Sequence, residues 1–292
     1  MTKIPLIIDT DLTADDVVAI AMAANCEKFD IRAITCYGEW FMETVQLRNS
    51  LGLDCPVCWG AMKPLFRQES DVDIYGTLQP DFDGNTRINP KDEEYPWDKI
   101  YAESVKAEGS LEILTLGPVT NIAQTILRYP QIKPLINHIF CFAGSGYSGN
   151  VAPYSEYNAW ADPDALKILF DSGIAVTMCG LDSVEPCALG REELAEIYPI
   201  NDTVKTVVDM YRKSADDEIL LPAAAAASCY INYDVISVKE FYVAVETKGT
   251  LALGQTVVDR LGKYKKVPNI KVVVSSSKNQ FLNNLKRITE QI

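Results

Sequence analysis

Short apolar runs alternate along this chain with stretches of helical periodicity. Runs rich in Ile, Val and Leu and bounded by turn residues read as buried strands at residues 5–9, 31–36, 56–59, 111–116, 138–142, 174–179, 241–246 and 270–274. Apolar positions spaced three and four apart predict helices over 15–26, 43–51, 98–108, 119–128, 162–171, 192–198, 203–214, 222–230 and 278–291. This alternation predicts an α/β fold, an open and mostly parallel sheet flanked by helices on both faces. The stretch 66–95 breaks the rhythm with Asp, Gly, Pro and Asn, and long irregular segments of this kind commonly serve as active-site loops. No internal repeat or low-complexity linker interrupts the pattern, so residues 1–292 are expected to form one domain.

Composition narrows the function. The 292 residues include 27 Lys and Arg against 40 Asp and Glu, a formal charge of −13. Nucleic-acid binding needs clustered cations and anionic membranes attract polybasic segments, so neither partner is expected. The apolar stretch near 219–231 is too short to span a bilayer, and Ile8 runs at once into Asp9, which does not suit a secretory signal. The expected location is the cytoplasm, with the eight cysteines reduced. Cys55-Pro56-Val57-Cys58 has redox spacing, but it reads as a strand and not as the start of a helix, so two packed thiols are expected. One histidine, His138, rules out a zinc site built on two imidazoles; it falls on a core strand, where a hydrogen-bonded structural role is expected.

Three segments carry candidate chemistry. Asp9, Asp11, Asp15 and Asp16 place four carboxylates within eight residues, where the first strand meets the first helix. Asp15 and Asp16 suit a helix start, with Thr13 or Asp15 as its cap. Asp9 and Asp11 have no such excuse, because Asp is disfavoured in strands. Crowded carboxylates raise one another's pKa unless a cation or proton lies between them, so a hard-cation site is expected. Gly144-Ser145-Gly146-Tyr147-Ser148-Gly149 fits a dinucleotide fingerprint, yet Pro153 follows where a helix would have to open. That loop is expected instead to carry Asn150, Glu156 and Asn158 to the sheet's edge. Leu116-Gly117-Pro118-Val119-Thr120-Asn121 reads as a strand-to-helix turn, with Thr120 and Asn121 as capping residues.

Taken together and in this order, the segments resemble the inosine–uridine-type nucleoside hydrolase family. Its opening pattern DxDPGxDDAxA corresponds to DTDLTADDVVA at 9–19, its LGPLTNIA turn to Leu116-Gly117-Pro118-Val119-Thr120-Asn121-Ile122-Ala123, and its GN-x5-EFN loop to Gly149-Asn150 and Glu156-Tyr157-Asn158. Gly254-Gln255-Thr256-Val257-Val258-Asp259 is similar to its late strand motif. The resemblance implies hydrolysis of the N-glycosidic bond of a small nucleoside to ribose and free base. It implies a calcium ion that holds the attacking water and ribose hydroxyls, and a homodimer or homotetramer. Carried over, Asp11 is metal ligand and general base, and Asp16 and the Thr120 carbonyl complete the metal set. Asp15, Asn150, Glu156 and Asn158 hold ribose hydroxyls, and Asp9 supports the cluster.

The chain also departs from the pattern. The family's Pro-Gly is Leu12-Thr13, which implies a loop without glycine's open dihedrals, and its Gly-Asn after the second strand is Gly38-Glu39. The late His-Asp pair, leaving-group acid and last metal ligand, becomes Leu220-Leu221 when anchored on Pro222, or Ala223-Ala224 when anchored on Tyr230. Asp216, Asp217 and Glu218 lie just upstream, and Trp40, Phe41, Tyr75 and Trp160 are candidates for stacking on a base.

Overall fold

A computed structural model describes residues 2–67, 88, 92 and 94–289. The strands are β1 (Ile4–Thr10), β2 (Phe29–Cys36), β3 (Val57–Trp59), β4 (Leu111–Thr115), β5 (Ile136–Phe142), β6 (Val176–Cys179), β7 (Leu189–Gly190), β8 (Glu218–Ile219), β9 (Ser237–Phe241), β10 (Val243–Val245), β11 (Thr256–Val258) and β12 (Ile270–Ser275). The helices are α1 (Ala14–Ala24), α2 (Phe41–Ser50), α3 (Pro96–Lys106), α4 (Thr120–Arg128), α5 (Tyr157–Ala161), α6 (Pro163–Phe170), α7 (Leu181–Val184), α8 (Arg191–Ala195), α9 (Asp202–Arg212), α10 (Pro222–Ile231) and α11 (Lys278–Leu285).

Eight strands form the main sheet in the order β3-β2-β1-β4-β5-β6-β12-β9, every neighbour parallel except the antiparallel edge pair β12–β9. Alternation along β1 accounts for the two layers. Leu6 and Ile8 join a core packed under α1, α9, α10 and α11, whereas Ile7 joins a second core under α4 and α6. Strands covered on both faces are apolar throughout, which is why they show as unbroken runs in the sequence. Among the described residues no helix is long and apolar enough to cross a membrane.

Strand order runs outward from β1 in one direction and from β4 in the other, so the chain reverses its winding between these two. In open α/β sheets ligands bind outside the carboxyl ends of the strands at such a point. Asp9 and Thr10 end β1 there, and the turn after β4 faces them, with the Leu116 N–H donating to the Asp9 carbonyl at 2.8 Å.

Some boundaries differ from the sequence expectation. The run 241–246 is two elements: β9 ends at Phe241, and β10 leaves the sheet to pair with β11. The helix expected over 192–198 is only Arg191–Ala195, and α11 gives way after Leu285 to a 3-10 turn. Most of the irregular 66–95 stretch, Tyr75 included, lies outside the described residues. Its flanks are tied to the sheet's edge: Leu65 N–H donates to Asp162, Arg67 lies over the Trp160 ring, and Asp92 pairs with the buried Arg48 at 2.8 Å.

His138 sits opposite Glu112 in the β5–β4 register, level with Leu6 and three residues, or ~10 Å, short of Asp9. Its Nε2 is 2.8 Å from Thr177 Oγ1 and its Nδ1 3.9 Å from Glu112 Oε2. It is a bonded structural histidine away from the sheet's functional edge. All eight cysteines are buried and unpaired, and burial pushes the thiols of Cys36, Cys55, Cys58 and Cys141 up to about 12. Since the thiolate is the reactive form, a disulfide-exchange reagent at pH 8 should label fewer than one thiol per native chain. Denaturant should release all eight; rapid native labelling of Cys55 and Cys58 would contradict the packing.

Candidate active site

The site is assembled on β1. Asp9 is fully buried; its Oδ1 accepts from Thr35 Oγ1 at 2.5 Å and Asn121 Nδ2 at 2.8 Å, and its Oδ2 has no partner among the described residues. The Thr10 hydroxyl donates to Asp16 Oδ2 at 2.5 Å and accepts from the Leu12 N–H at 2.9 Å, pinning the turn that carries Asp11. That turn uses an open dihedral after all: Leu12 stands at φ 55°, in the left-handed region. A leucine there costs about 1 kcal/mol or more, and its fully buried side chain helps to hold it.

Asp15 and Asp16 stand in the first turn of α1, as expected, but their carboxylates do more than favour a helix start. Thr13 is the N-cap residue, yet no side chain caps the helix. Asp15 Oδ1 accepts from the Thr13 hydroxyl at 2.9 Å, and its Oδ2 accepts from the Ala223 N–H of α10 at 2.7 Å. Asp16 Oδ1 is buried with no partner among the described residues. The Asp11 and Asp16 carboxyls lie within hydrogen-bond reach of each other. Burial, then the Asp16 charge, holds Asp11 well above the carboxylate range. Burial, then the Asp15 charge, pushes Asp16 up to about 7, and burial takes Asp9 to about 7. Burial also raises Asp15, against the opposing hydrogen bonds from Ala223 and Thr13. Such a cluster needs a proton or a cation to neutralise it at physiological pH.

The β4 turn closes one side. A Cβ on Gly117 would stand 2.7 Å from Asp11 N and 2.8 Å from Asp11 Oδ1, so only glycine lets the turn lie this close. Gly117→Ala should therefore displace Asp11 and lower kcat/KM about 10- to 100-fold, read by steady-state kinetics; unchanged kinetics would mean that Asp11 need not stand where it does. Thr120 donates its hydroxyl to Asp162 Oδ2 at 2.7 Å, fixing the first turn of α4. Neither Thr120 nor Asn121 caps that helix. Asn121 is instead a buried bolt, donating to Asp9 Oδ1 and the Cys36 carbonyl and accepting from the Ala61 N–H.

The other side is the loop after β5, which opens no helix until Tyr157. Glu156 is the N-cap of α5, and its carboxylate accepts from the N–H groups of Gly144, Asn158 and Ala159 at 2.7–3.2 Å. Burial nonetheless pushes it up to about 7, with the Asp15 charge adding to the effect, so Glu156 and the aspartates belong to one electrostatic site. Asn158 Nδ2 stitches the β4 and β5 ends together through the carbonyls of Leu116 and Phe142. Asn150 Oδ1 accepts from the Tyr157 N–H at 2.9 Å.

At the start of α10, Pro222 is the first helical residue, with Leu221, Ala223 and Ala224 all buried. Asp216, Asp217 and Glu218 turn to solvent and do not reach in. Among the described residues no three His, Cys, Asp or Glu side chains form a metal-binding group. Of the aromatic candidates, Phe41 stacks on Trp59 at 5.5 Å and Trp160 lies under Arg67. Sequence reasoning missed three tyrosines. The fields of Asp11, Tyr37 and Glu156 add to burial in raising the Tyr157 phenol, and those of Asp15 and Asp16 do the same for Tyr211. Tyr157, where the family pattern has Phe, carried the one readable signal.

The family model described as inosine-uridine preferring nucleoside hydrolase matches residues 6–283. The chain belongs to this family. The non-specific ribonucleoside hydrolases RihC of Shigella flexneri serotype 5b and of Escherichia coli O139:H28 are each 31% identical to it over 284 residues, 93% of either protein. Among solved structures, an inosine-guanosine nucleoside hydrolase superposes with a TM-score of 0.85 at 21% identity over 99% of both chains. The purine-preferring ribonucleoside hydrolase from Gardnerella vaginalis gives 0.82 at 24% over 98% of both. These structures share the fold of this nucleoside hydrolase family member, with its eight-stranded sheet flanked by helices.

Proposed function

We propose that the chain hydrolyses the N-glycosidic bond of a ribonucleoside, giving ribose and free base at the Asp11 site. The observation that carries this reading is the buried cluster of Asp9, Asp11, Asp15 and Asp16 at the switch point of the sheet, within the same electrostatic field as Glu156. Family membership supports it, and so does the name of the RihC relatives.

A divalent cation fits part of the site. Asp16 Oδ1 is a buried oxygen without a partner among the described residues, and the Asp16 charge raises the cost of ionising Asp11, as two ligands of one cation would. Asp11, Asp16 and the Thr120 carbonyl would hold calcium, one carboxylate short of the family's set because Leu221 or Ala224 stands at the last position. When bound, calcium supplies Lewis acidity toward water and the ribose hydroxyls. Asp11 takes the proton of the attacking water as its oxygen bonds to C1′. The C1′–N bond breaks and its electron pair leaves with the base, which takes a proton from solvent. Asp15, Glu156, Asn150 and Asn158 orient the ribose, and the carboxylates stabilise the positive charge that develops on the sugar.

The test is chromatographic detection of free base from purine, pyrimidine and nicotinamide ribosides, with calcium or with EDTA. Base release that EDTA suppresses supports the reading; no release from any substrate overturns it. A second reading, a ribose or nucleoside binder without turnover, is favoured by one observation, the buried apolar start of α10 where the family's acid would stand. It requires calorimetric binding of an unhydrolysed nucleoside. Turnover of nitrophenyl riboside but not inosine would instead mean that the chemistry survives and only leaving groups needing no acid are expelled.

A further inference from the structure

The glycine run 144–149 has few side chains with which to pack, yet it bears on Glu156 directly, because the Gly144 N–H donates to Glu156 Oε2 at 2.7 Å. Something outside the loop must hold it. The Ser145 N–H donates to Thr256 Oγ1 at 3.0 Å, and the Thr256 hydroxyl donates back to the Ser145 carbonyl at 3.0 Å. One buried side chain thus satisfies both backbone groups of Ser145, as a neighbouring strand would. Next along the loop, the Gly146 N–H donates to Asp182 Oδ1 at 3.0 Å, and Arg260 Nη2 braces the other Asp182 oxygen at 3.5 Å. The Arg260 guanidinium also lies 5.3 Å from the Tyr147 ring and 5.7 Å from the Phe241 ring. Thr256 and Arg260 come from β11 and the turn after it, outside the main sheet and more than a hundred residues from the loop.

We propose that Thr256 and Arg260 are positioning residues for ribose recognition, holding the glycine loop so that Glu156 meets a sugar hydroxyl in the geometry hydrolysis needs. Among the described residues their hydrogen-bond and ion-pair partners are Ser145 and Asp182, not the aspartate cluster. Their influence passes through Ser145 and, by way of Asp182, through Gly146 to the Gly144–Glu156 bond. The inference rests on the ribonucleoside reading above and assigns the β10–β11 hairpin a part in sugar selectivity.

The experiment measures kcat/KM of the full chain for a ribonucleoside and its 2′-, 3′- and 5′-deoxy analogues, in wild type, Thr256→Val, Thr256→Ser and Arg260→Ala. Val keeps the volume of Thr and loses both hydrogen bonds; Ser keeps the hydroxyl. Thr256→Val should lower kcat/KM for the ribonucleoside about 10- to 100-fold. It should do much less to the analogue lacking the hydroxyl that Glu156 holds, so discrimination between those two substrates collapses. Thr256→Ser should stay near wild type. Arg260→Ala, at a partly exposed position, should show the same selective pattern more weakly, and it carries the test if Thr256→Val does not fold. Equal losses on all four substrates, or no loss, would overturn the inference while leaving the function standing. A wild type that hydrolyses none of them overturns the function, and the inference with it.

Discussion

Asp11→Asn should reduce kcat/KM for ribonucleosides by about a thousandfold, within the range for loss of a general base, without unfolding the protein. Asparagine fills the same volume and keeps an oxygen toward Asp16, but it cannot take a proton from water. Asp11 is held well above the carboxylate range by burial and by the Asp16 charge. Removing its charge relieves that repulsion, so the melting temperature at pH 7.5 without calcium should equal or exceed that of wild type. A large activity loss with a preserved melting temperature places Asp11 in the chemistry. Full activity would remove it from the mechanism, and a collapse of stability would mean that its role is structural.

Removal of divalent cations should make the protein lose stability as the pH rises from about 4 to 7. Asp9 and Glu156 are both raised to about 7, from ordinary values of 3.8 and 4.5, and burial is the leading cause in each. Between the unfolded and folded pKa the native state binds more protons than the unfolded chain. Stability is therefore full below about 4 and falls as the pH climbs through 7. At 1.36 kcal/mol per pKa unit each group costs on the order of 3–4 kcal/mol by pH 8. Glu103 and Glu112 are lowered by Lys and His partners and act in the opposite direction, losing their contribution in acid. The optimum without metal should then lie near pH 5. Denaturant titrations at pH 5 and pH 8 in EDTA measure the difference, and calcium at pH 8 should restore part of it through Asp11 and Asp16. The Asp11→Asn, Asp16→Asn double variant should lose that response. Stability that rises from pH 5 to pH 8 in EDTA would contradict the buried-cluster account.

Much of the fold is legible because strands covered on both faces are written as unbroken apolar runs, as in Leu6-Ile7-Ile8. β9 is not: Ser237-Val238-Lys239-Glu240-Phe241 is an antiparallel edge strand, mostly exposed, with no apolar run to mark it. The aspartates were legible because Asp on a strand demands a reason. Thr13 and Asp15 do stand at the start of α1, but the expected side-chain cap does not form because their partners are each other and Ala223, more than two hundred residues from Asp15. Asn121 looked like a cap for the same cause, since local spacing cannot reveal that its side chain reaches Asp9 and Ala61. Tyr37 and Tyr211 were invisible among ordinary packed aromatics, and only Tyr157, standing where the family pattern has Phe, left a signal. Leu12 shows the converse, a left-handed position that the residue type argues against and that the Thr10 hydrogen bond and a buried side chain sustain.

The most direct test is a stoichiometric one. Wild-type protein is incubated with inosine, uridine and nicotinamide riboside in phosphate-free buffer containing calcium, and the products are followed by proton NMR. Equimolar ribose and free base from at least one substrate, abolished in Asp11→Asn, is the expected result. No ribose from any of them, or ribose release that Asp11→Asn leaves untouched, would contradict hydrolysis at the aspartate cluster.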